Sequence, residues 1–390
     1  MVFSKTIKDD YLVLDQLKQL CRGLNCKVNG LKDELIERIE NKAKESEPVR
    51  TYINNEIEKY IREGTKHCYY RKFEKPKSKE SEVFIANLHK CEGKYKSWVN
   101  EVHAGNNLRL YRVDYSVNNK HINNVKLSYV IALYEKRDSE NANKIKYPVF
   151  VDIDLDVNNI VIRMKSKSKL FYISSENGAD ILGTTFSEKS ILNKIEESIK
   201  EIFSISFQSS PNLTEMIKDS FYSLLAKYTK TPRMVQDCID SMSLSISSFT
   251  EILHTKLPIN DKYCEEIETD LKLLVEKFVS ASVPDKNYSI FINDREAYPV
   301  GVKLTNRQKT QISQVSTDRA PLQTKDVFFD YKKVLQKEKF CDSLSMMYKE
   351  KNNKDRDFPV YLSVKSNSLL FDFRNHTKEE DILNVISFFE

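Results

Sequence analysis

Apolar residues recur along this chain with two different periods, and the switches between them predict its elements. Residues 10–45 read as two short helices, one with Leu14, Leu17, Cys21 and Leu24 on a stripe, the other with Leu31, Leu35, Ile36 and Ile39. Residues 51–63 keep helical spacing through Ile53, Ile57, Tyr60 and Ile61. Between 66 and 175 alternation takes over and predicts strands at 68–73, 82–88, 108–116, 125–134, 147–156, 160–165 and 169–174. The clearest hairpin spans 147–165 and turns at Asn158 and Asn159. Helical spacing returns at 187–203, 212–228, 234–254 and 261–280. In the last of these Ile267, Leu271, Leu274, Val275 and Phe278 share one side. Then come a hairpin at 288–304, a polar loop at 305–326, a helix at 328–349 and a hairpin at 358–373. A last helix follows Thr377, which fits a capping box with Glu380.

These patterns predict an α+β fold. It comprises a small N-terminal helical module, a mixed or antiparallel β-rich region, a central helical region and a C-terminal hairpin-plus-helix region. The corresponding segments are 1–48, 49–205, 206–285 and 286–390. With 390 residues, 40% hydrophobic and 11% aromatic, the chain can build two or three cored domains and is not disordered. Its 8 glycines are scattered, which argues against a dinucleotide fingerprint or a P-loop. No apolar run approaches the roughly 18 residues of a membrane span, and residues 1–10 lack the apolar core of a secretory signal. The 7 widely spread cysteines read as reduced thiols in an intracellular protein, cytoplasmic or nuclear according to its source.

Charge adds a direction. The net charge is +5, and residues 51–150 carry 19 Lys or Arg against 12 Asp or Glu, whereas 251–300 carry 6 against 10. A basic bias of this size permits contact with nucleic acid without demanding it.

One segment is more specific. Residues 12–40 read LVLDQLKQLCRGLNCKVNGLKDELIERIE. Leu14, Leu17-Lys18 and Cys21 fall on the first helix, Gly30-x-Lys32 on a turn, and Leu35-Ile36-x-Arg38 on the second helix. In order and spacing this resembles the SAP domain, a small helix–turn–helix-like DNA-binding module. Asn29 stands where that family often has Ser or Thr. The resemblance implies double-stranded DNA binding, commonly of AT-rich sequence. The residues' own chemistry agrees. Glycine lets a backbone approach a partner closely, and a helix N-terminus favours an anion. Lys32 in the first turn opposes the helix dipole unless a phosphate arrives. Lys18, Arg22 and Lys27 can share that surface. A second basic stretch, 66–79, sets Arg71, Lys72 and Lys75 among Tyr69, Tyr70 and Phe73. It reads either as cations interleaved with base-stacking rings or as a half-buried strand and a solvated loop.

Other constellations carry less. Asp152, Asp154 and Asp156 alternate on one strand face, a pattern that can hold Mg²⁺ in nucleotidyl-transfer enzymes and nucleases. The accompanying motifs of those enzymes are missing, and Arg163, Lys165 and Lys167 on the returning strand offer ion-pair partners instead. His67, Cys68, His89, Cys91 and His103 lack zinc-ligand spacing. No catalytic residue, metal or cofactor is therefore expected. The expected function is DNA binding through the N-terminal module. A non-catalytic body would then serve oligomerisation, partner binding or DNA-structure recognition, a combination that would suit a phage, mobile-element or anti-phage setting. The alternatives are a metal-dependent nuclease or nucleotidyl-transfer enzyme using Asp152 and Asp154, and a protein-interaction scaffold built on 187–280. Expected partners are double-stranded DNA in preference to RNA, and a second copy of the chain or another protein; no membrane is expected.

Overall fold

The computed structural model describes residues 3–74, 78–118, 121–136, 142–176, 179–205, 207, 212–257, 260–282, 288–293, 295–306 and 309–390. After a short helical turn at Ile7–Tyr11 come three helices, α1 (Leu14–Gly23), α2 (Lys32–Lys42) and α3 (Glu47–Tyr60). Leu17, Cys21, Leu35, Ile36 and Ile39 of the expected stripes are buried, whereas Leu14 and Leu31 are exposed. Ser46 caps α3 by accepting from the Val49 amide, with a proline in the first turn. Next come β1 (Lys66–Lys72), α4 (Ser78–Lys94), β2 (Arg109–Asn118), β3 (His121–Lys136), β4 (Ala142–Asp154) and β5 (Asn159–Lys165). β6 (Leu170–Glu176), β7 (Ala179–Thr185) and α5 (Glu188–Phe203) close this part. The strand expected at 82–88 lies inside α4. There Phe84, Leu88 and Cys91 are buried at helical spacing, a face that the adjacent Val83 and Ile85 disguised. β7 has no apolar alternation to announce it, because its side chains are mostly exposed.

A second set of elements follows: α6 (Leu213–Tyr228), α7 (Arg233–Ser241), α8 (Ser243–Lys256), α9 (Asp261–Ala281), α10 (Ser289–Ile292), β8 (Ala297–Thr305), β9 (Gln311–Val315), α11 (Asp326–Glu338), β10 (Ser343–Glu350) and β11 (Asn353–Lys365). The chain ends with β12 (Ser368–Phe373) and α12 (Glu379–Ser387). The helix expected at 234–254 is thus two helices. The hairpin expected at 288–304 is a short helix and one strand, and the loop at 305–326 contains β9. The helix expected to reach 349 stops at Glu338, where Lys339 takes a φ of 58°, and Ser343–Glu350 is a strand. No capping box forms at Thr377. Lys378 is the cap residue, and the Thr377 hydroxyl donates to the Asn375 carbonyl instead.

These elements form two units, one of Met1–Ser210 with Ser368–Glu390 and one of Pro211–Asn367. The first contains a sheet in the order β7-β6-β3-β4-β5-β1-β12, with β2 also pairing along β3. Its pairs are antiparallel. One sheet face, with Tyr69, Leu127, Tyr129, Ile131, Val149 and Val151, shares a core with the α5 stripe Ile191, Ile195, Ile199 and Phe203. The opposite face contributes Val130, Ala132, Phe150 and Ile173 to the core of α1, α2 and α3. Segments 1–48 and 49–205 therefore share one hydrophobic core. In the second unit β11, β10, β8 and β9 pair in that order. The β8–β10 register shifts where Pro299, which has no amide hydrogen to give, faces Met346. The fold is α+β, with antiparallel sheets.

Candidate nucleic-acid interface

The turn between α1 and α2 is held by backbone bonds at its start and by the Arg38 side chain further on. Asn25, at a φ of 54°, ends α1, and the Cys26 amide returns to the Cys21 carbonyl at 2.8 Å. Gly30 has a φ of 133°, which a side chain rarely tolerates, and a Cβ there would collide with the Glu34 carboxylate. Arg38 braces the loop from below. Its Nη1 donates to the carbonyls of Lys27 (3.0 Å) and Asn29 (2.5 Å), and its Nη2 lies 3.3 Å from Glu34 Oε2. The space expected to admit a partner at Gly30 is thus occupied by the chain's own Glu34. An open groove of about 580 Å³ remains beside it, lined by Cys26, Lys27, Asn29, Gly30, Glu34 and Arg38.

Helix α2 has no side-chain cap, since its cap position is Leu31. Its first turn carries Asp33 and Glu34, which already complement the dipole. Among the described residues, Lys18, Arg22, Lys27 and Lys32 make no ion pair. Arg22 and Lys27 are exposed, Lys18 and Lys32 half-buried. Lys32 adds its charge to a basic site the sequence does not reveal. Lys165, at the end of β5, donates to the Asp10 carbonyl. Burial, with the neighbouring positive charges of Lys167 and Lys32, pushes its ammonium down to about 8 against the pull of Asp10 and Glu135. Lys167 is tied to Asp10 and Glu135, each at 2.7 Å. Nothing local marks this meeting, because Lys32 and Lys165 lie on different elements far apart in the chain.

The second basic stretch is committed to the fold. Tyr69, Tyr70 and Phe73 are buried, so their rings cannot stack on bases. Arg71 donates to Ser368 Oγ at 2.5 Å and is paired with Glu196. Burial lowers its pKa, with Glu196 opposing that shift. Lys72 is exposed at the end of β1, and Lys75 lies outside the described residues.

The aspartate row does not stay on one strand face: Asp152 is buried, Asp154 is half-buried at the end of β4, and Asp156 is exposed in the turn beyond it. Asp152 lies between two guanidiniums, with Oδ1 2.8 Å from Arg62 Nη1 and Oδ2 2.7 Å from Arg163 Nη2. Burial alone would raise its pKa, but Arg163 and Arg62 hold the carboxyl below its ordinary value. Asp154 Oδ1 accepts from the amides of Asp156 and Val157 and so shapes the β4–β5 turn. Among the described residues no group of three or more His, Cys, Asp or Glu is placed to hold a metal ion. All seven cysteines are unbridged, and no described helix is long and apolar enough to cross a membrane.

A polar cluster that sequence reasoning missed lies on the other sheet face. His67 Nδ1 is 2.6 Å from Glu188 Oε1, its Nε2 is 3.4 Å from Asp372 Oδ1, and the Tyr69 hydroxyl donates to Glu188 Oε2 at 2.5 Å. Alternation on β1 puts His67 and Tyr69 on one side, but their carboxylate partners come from α5 and β12. Compared with the models of known protein families and with curated proteins, the chain has no match in either.

Proposed function

We propose that the α1–α2 hairpin binds double-stranded DNA through its phosphates. The observation that carries this reading is that four cations of the α1–α2 hairpin, Lys18, Arg22, Lys27 and Lys32, have no ion-pair partner among the described residues, with Lys27 lining the groove beside a braced turn and Lys32 in the first turn of an uncapped helix. Many other cations of the same unit are paired, including Arg50, Arg62, Arg71, Lys144 and Lys167. Phosphate contacts of this kind give sequence-tolerant binding, typically in the micromolar range, that weakens steeply with salt. The Glu34 carboxylate over Gly30 works against an anion, so it limits affinity.

Removing residues 1–48 is not a clean test, because it would strip the core from one face of the sheet. The test is a salt series with a duplex of about 20 base pairs. It uses the full chain, the variant with Lys18, Arg22, Lys27 and Lys32 all changed to Ala, and Glu34→Gln. The fourfold variant should lose at least about 10-fold in affinity, and its logarithmic salt slope should fall by about 0.9 for each contact removed. Glu34→Gln should bind a few-fold tighter. A fourfold variant with unchanged affinity and slope would remove the hairpin from the interface.

A further inference from the structure

Helix α9 is turned the wrong way round for a helix whose only task is to pack against its own unit. Among its 21 residues the buried positions are Glu276 and Ser280. Glu276 is held at 2.6 Å by Lys332 and at 2.8 Å by the Thr231 hydroxyl. Meanwhile Cys264, Ile267, Leu271, Leu274 and Phe278, spaced 3, 4, 3 and 4 residues apart, line a side whose last two members are 48% and 65% exposed. That spacing is the seam of a two-helix coil. Helix α8 packs against α9, and its Phe249 and Ile252, with Leu257 just beyond its end, are between 48 and 52% exposed.

We propose that this seam pairs with the same seam of a second copy of the chain, the two α9 helices running antiparallel. Area supports a second copy. Tyr263, Leu274, Phe278, Phe249, Ile252 and Leu257 are each about half exposed. At ~150–250 Å² for a large side chain they present roughly 500 Å² of apolar-residue surface. A standard interface buries about 800 Å² per partner, a little over half of it apolar, or roughly 450–500 Å². A monomer rarely leaves so much exposed on one pair of helices without a use for it. Charge sets the direction. Residues 261–270 carry five carboxylates against one lysine, whereas 271–281 carry two lysines against one carboxylate. An antiparallel pair lays the acidic half of each helix on the basic half of the other, and a parallel pair would set the two acidic halves together. With the two-fold axis near Leu271, Phe278 of one copy meets the small Cys264 of the other, and the contact closes as a symmetric dimer.

Sedimentation equilibrium of the full chain from about 1 to 100 μM, without DNA, tests this independently of the nucleic-acid reading. The unmodified chain should be a dimer at the upper end. Leu274→Glu and Phe278→Glu should each raise the dissociation constant at least about 100-fold, as expected for losing a well-packed large side chain from each copy. These positions are exposed in the single chain, so an unchanged thermal melt at low concentration would show that each variant folds. Raising salt from about 0.05 to 0.5 M screens both the attraction of the facing acidic and basic halves and the repulsion of the net charges, so this mainly apolar dimer should change no more than a few-fold while DNA binding weakens steeply. A chain that stays monomeric throughout, or a dimer indifferent to both substitutions, would overturn the proposal. A monomer that gains mass only with a basic amphipathic helical peptide would assign the seam to a different partner.

Discussion

Asp152→Ala is expected to destabilise the first unit by about 3–5 kcal/mol, the usual cost of removing one member of a buried ion network. Asp152 is the carboxylate between Arg62 and Arg163, and Arg163 is wholly inaccessible. Glu379 approaches Arg163 Nη1 only at 3.5 Å, so it cannot take over. The variant would leave two guanidiniums beside each other out of water. Phe150 offers Arg62 a ring face at 4.7 Å, worth far less than a carboxylate. The chain has one tryptophan, Trp98, and its Nε1 donates to Asn55 Oδ1 at 3.1 Å within the first unit. Tryptophan fluorescence in a urea titration therefore reports this unit alone. Replacing Arg62, Asp152 and Arg163 together by Met, Leu and Met should recover most of the loss, because no charge is then left unpaired. A single variant within about 0.5 kcal/mol of the unmodified chain would mean that the network is better solvated than its geometry shows.

The second large effect is one of pH. His67 sits between Glu188 and Asp372, with the Tyr69 hydroxyl on Glu188 and Arg374 on Asp372 at 2.8 Å. Burial pushes the imidazolium down, but hydrogen bonds to Asp372 and Glu188 and their charges outweigh it and raise the pKa to about 9. A raised value means that protonation favours the folded state. The contribution is complete below the unfolded value of about 6.5 and is lost as pH rises through about 9, for a total of roughly 3 kcal/mol. Between pH 6.5 and 9.5 the unmodified chain should lose that much more stability than His67→Gln, again followed at Trp98. Parallel curves for the two proteins would show that the bridge between β1, α5 and β12 contributes nothing.

The fold class and many of the elements were legible because period alone reveals an amphipathic face. The α5 stripe from Ile191 to Phe203 is buried as its spacing predicts. Period does not say what a face meets. The α9 stripe was equally plain in the sequence, yet the structure leaves Leu274 and Phe278 exposed and the rest of it half-buried, and buries Glu276. Charge runs mislead for a related reason. Arg71 reads as solvated basic surface, but its partners Glu196 and Ser368 lie 125 and 297 residues further on. The cluster around His67 draws Glu188 from 121 residues away. Such sites are made by pairing of distant strands and helices, and no local pattern encodes them. The α1–α2 hairpin is the opposite case, since most of its bracing contacts are local in sequence and its two helices were legible from apolar spacing alone.

The order of elements in the first unit has a consequence for biosynthesis. Strand β1 is flanked by β5 and β12, and the Tyr70 hydroxyl donates to the Phe389 carbonyl 319 residues later. While a ribosome adds residues 211–367, one edge of β1 has no neighbour and its amides and carbonyls invite a wrong strand. The unit can close only when Ser368–Glu390 has emerged. Loss of residues 368–390 would leave β1 an open edge, so nascent chains of this protein depend on a long-range closure that chaperones have time to guard.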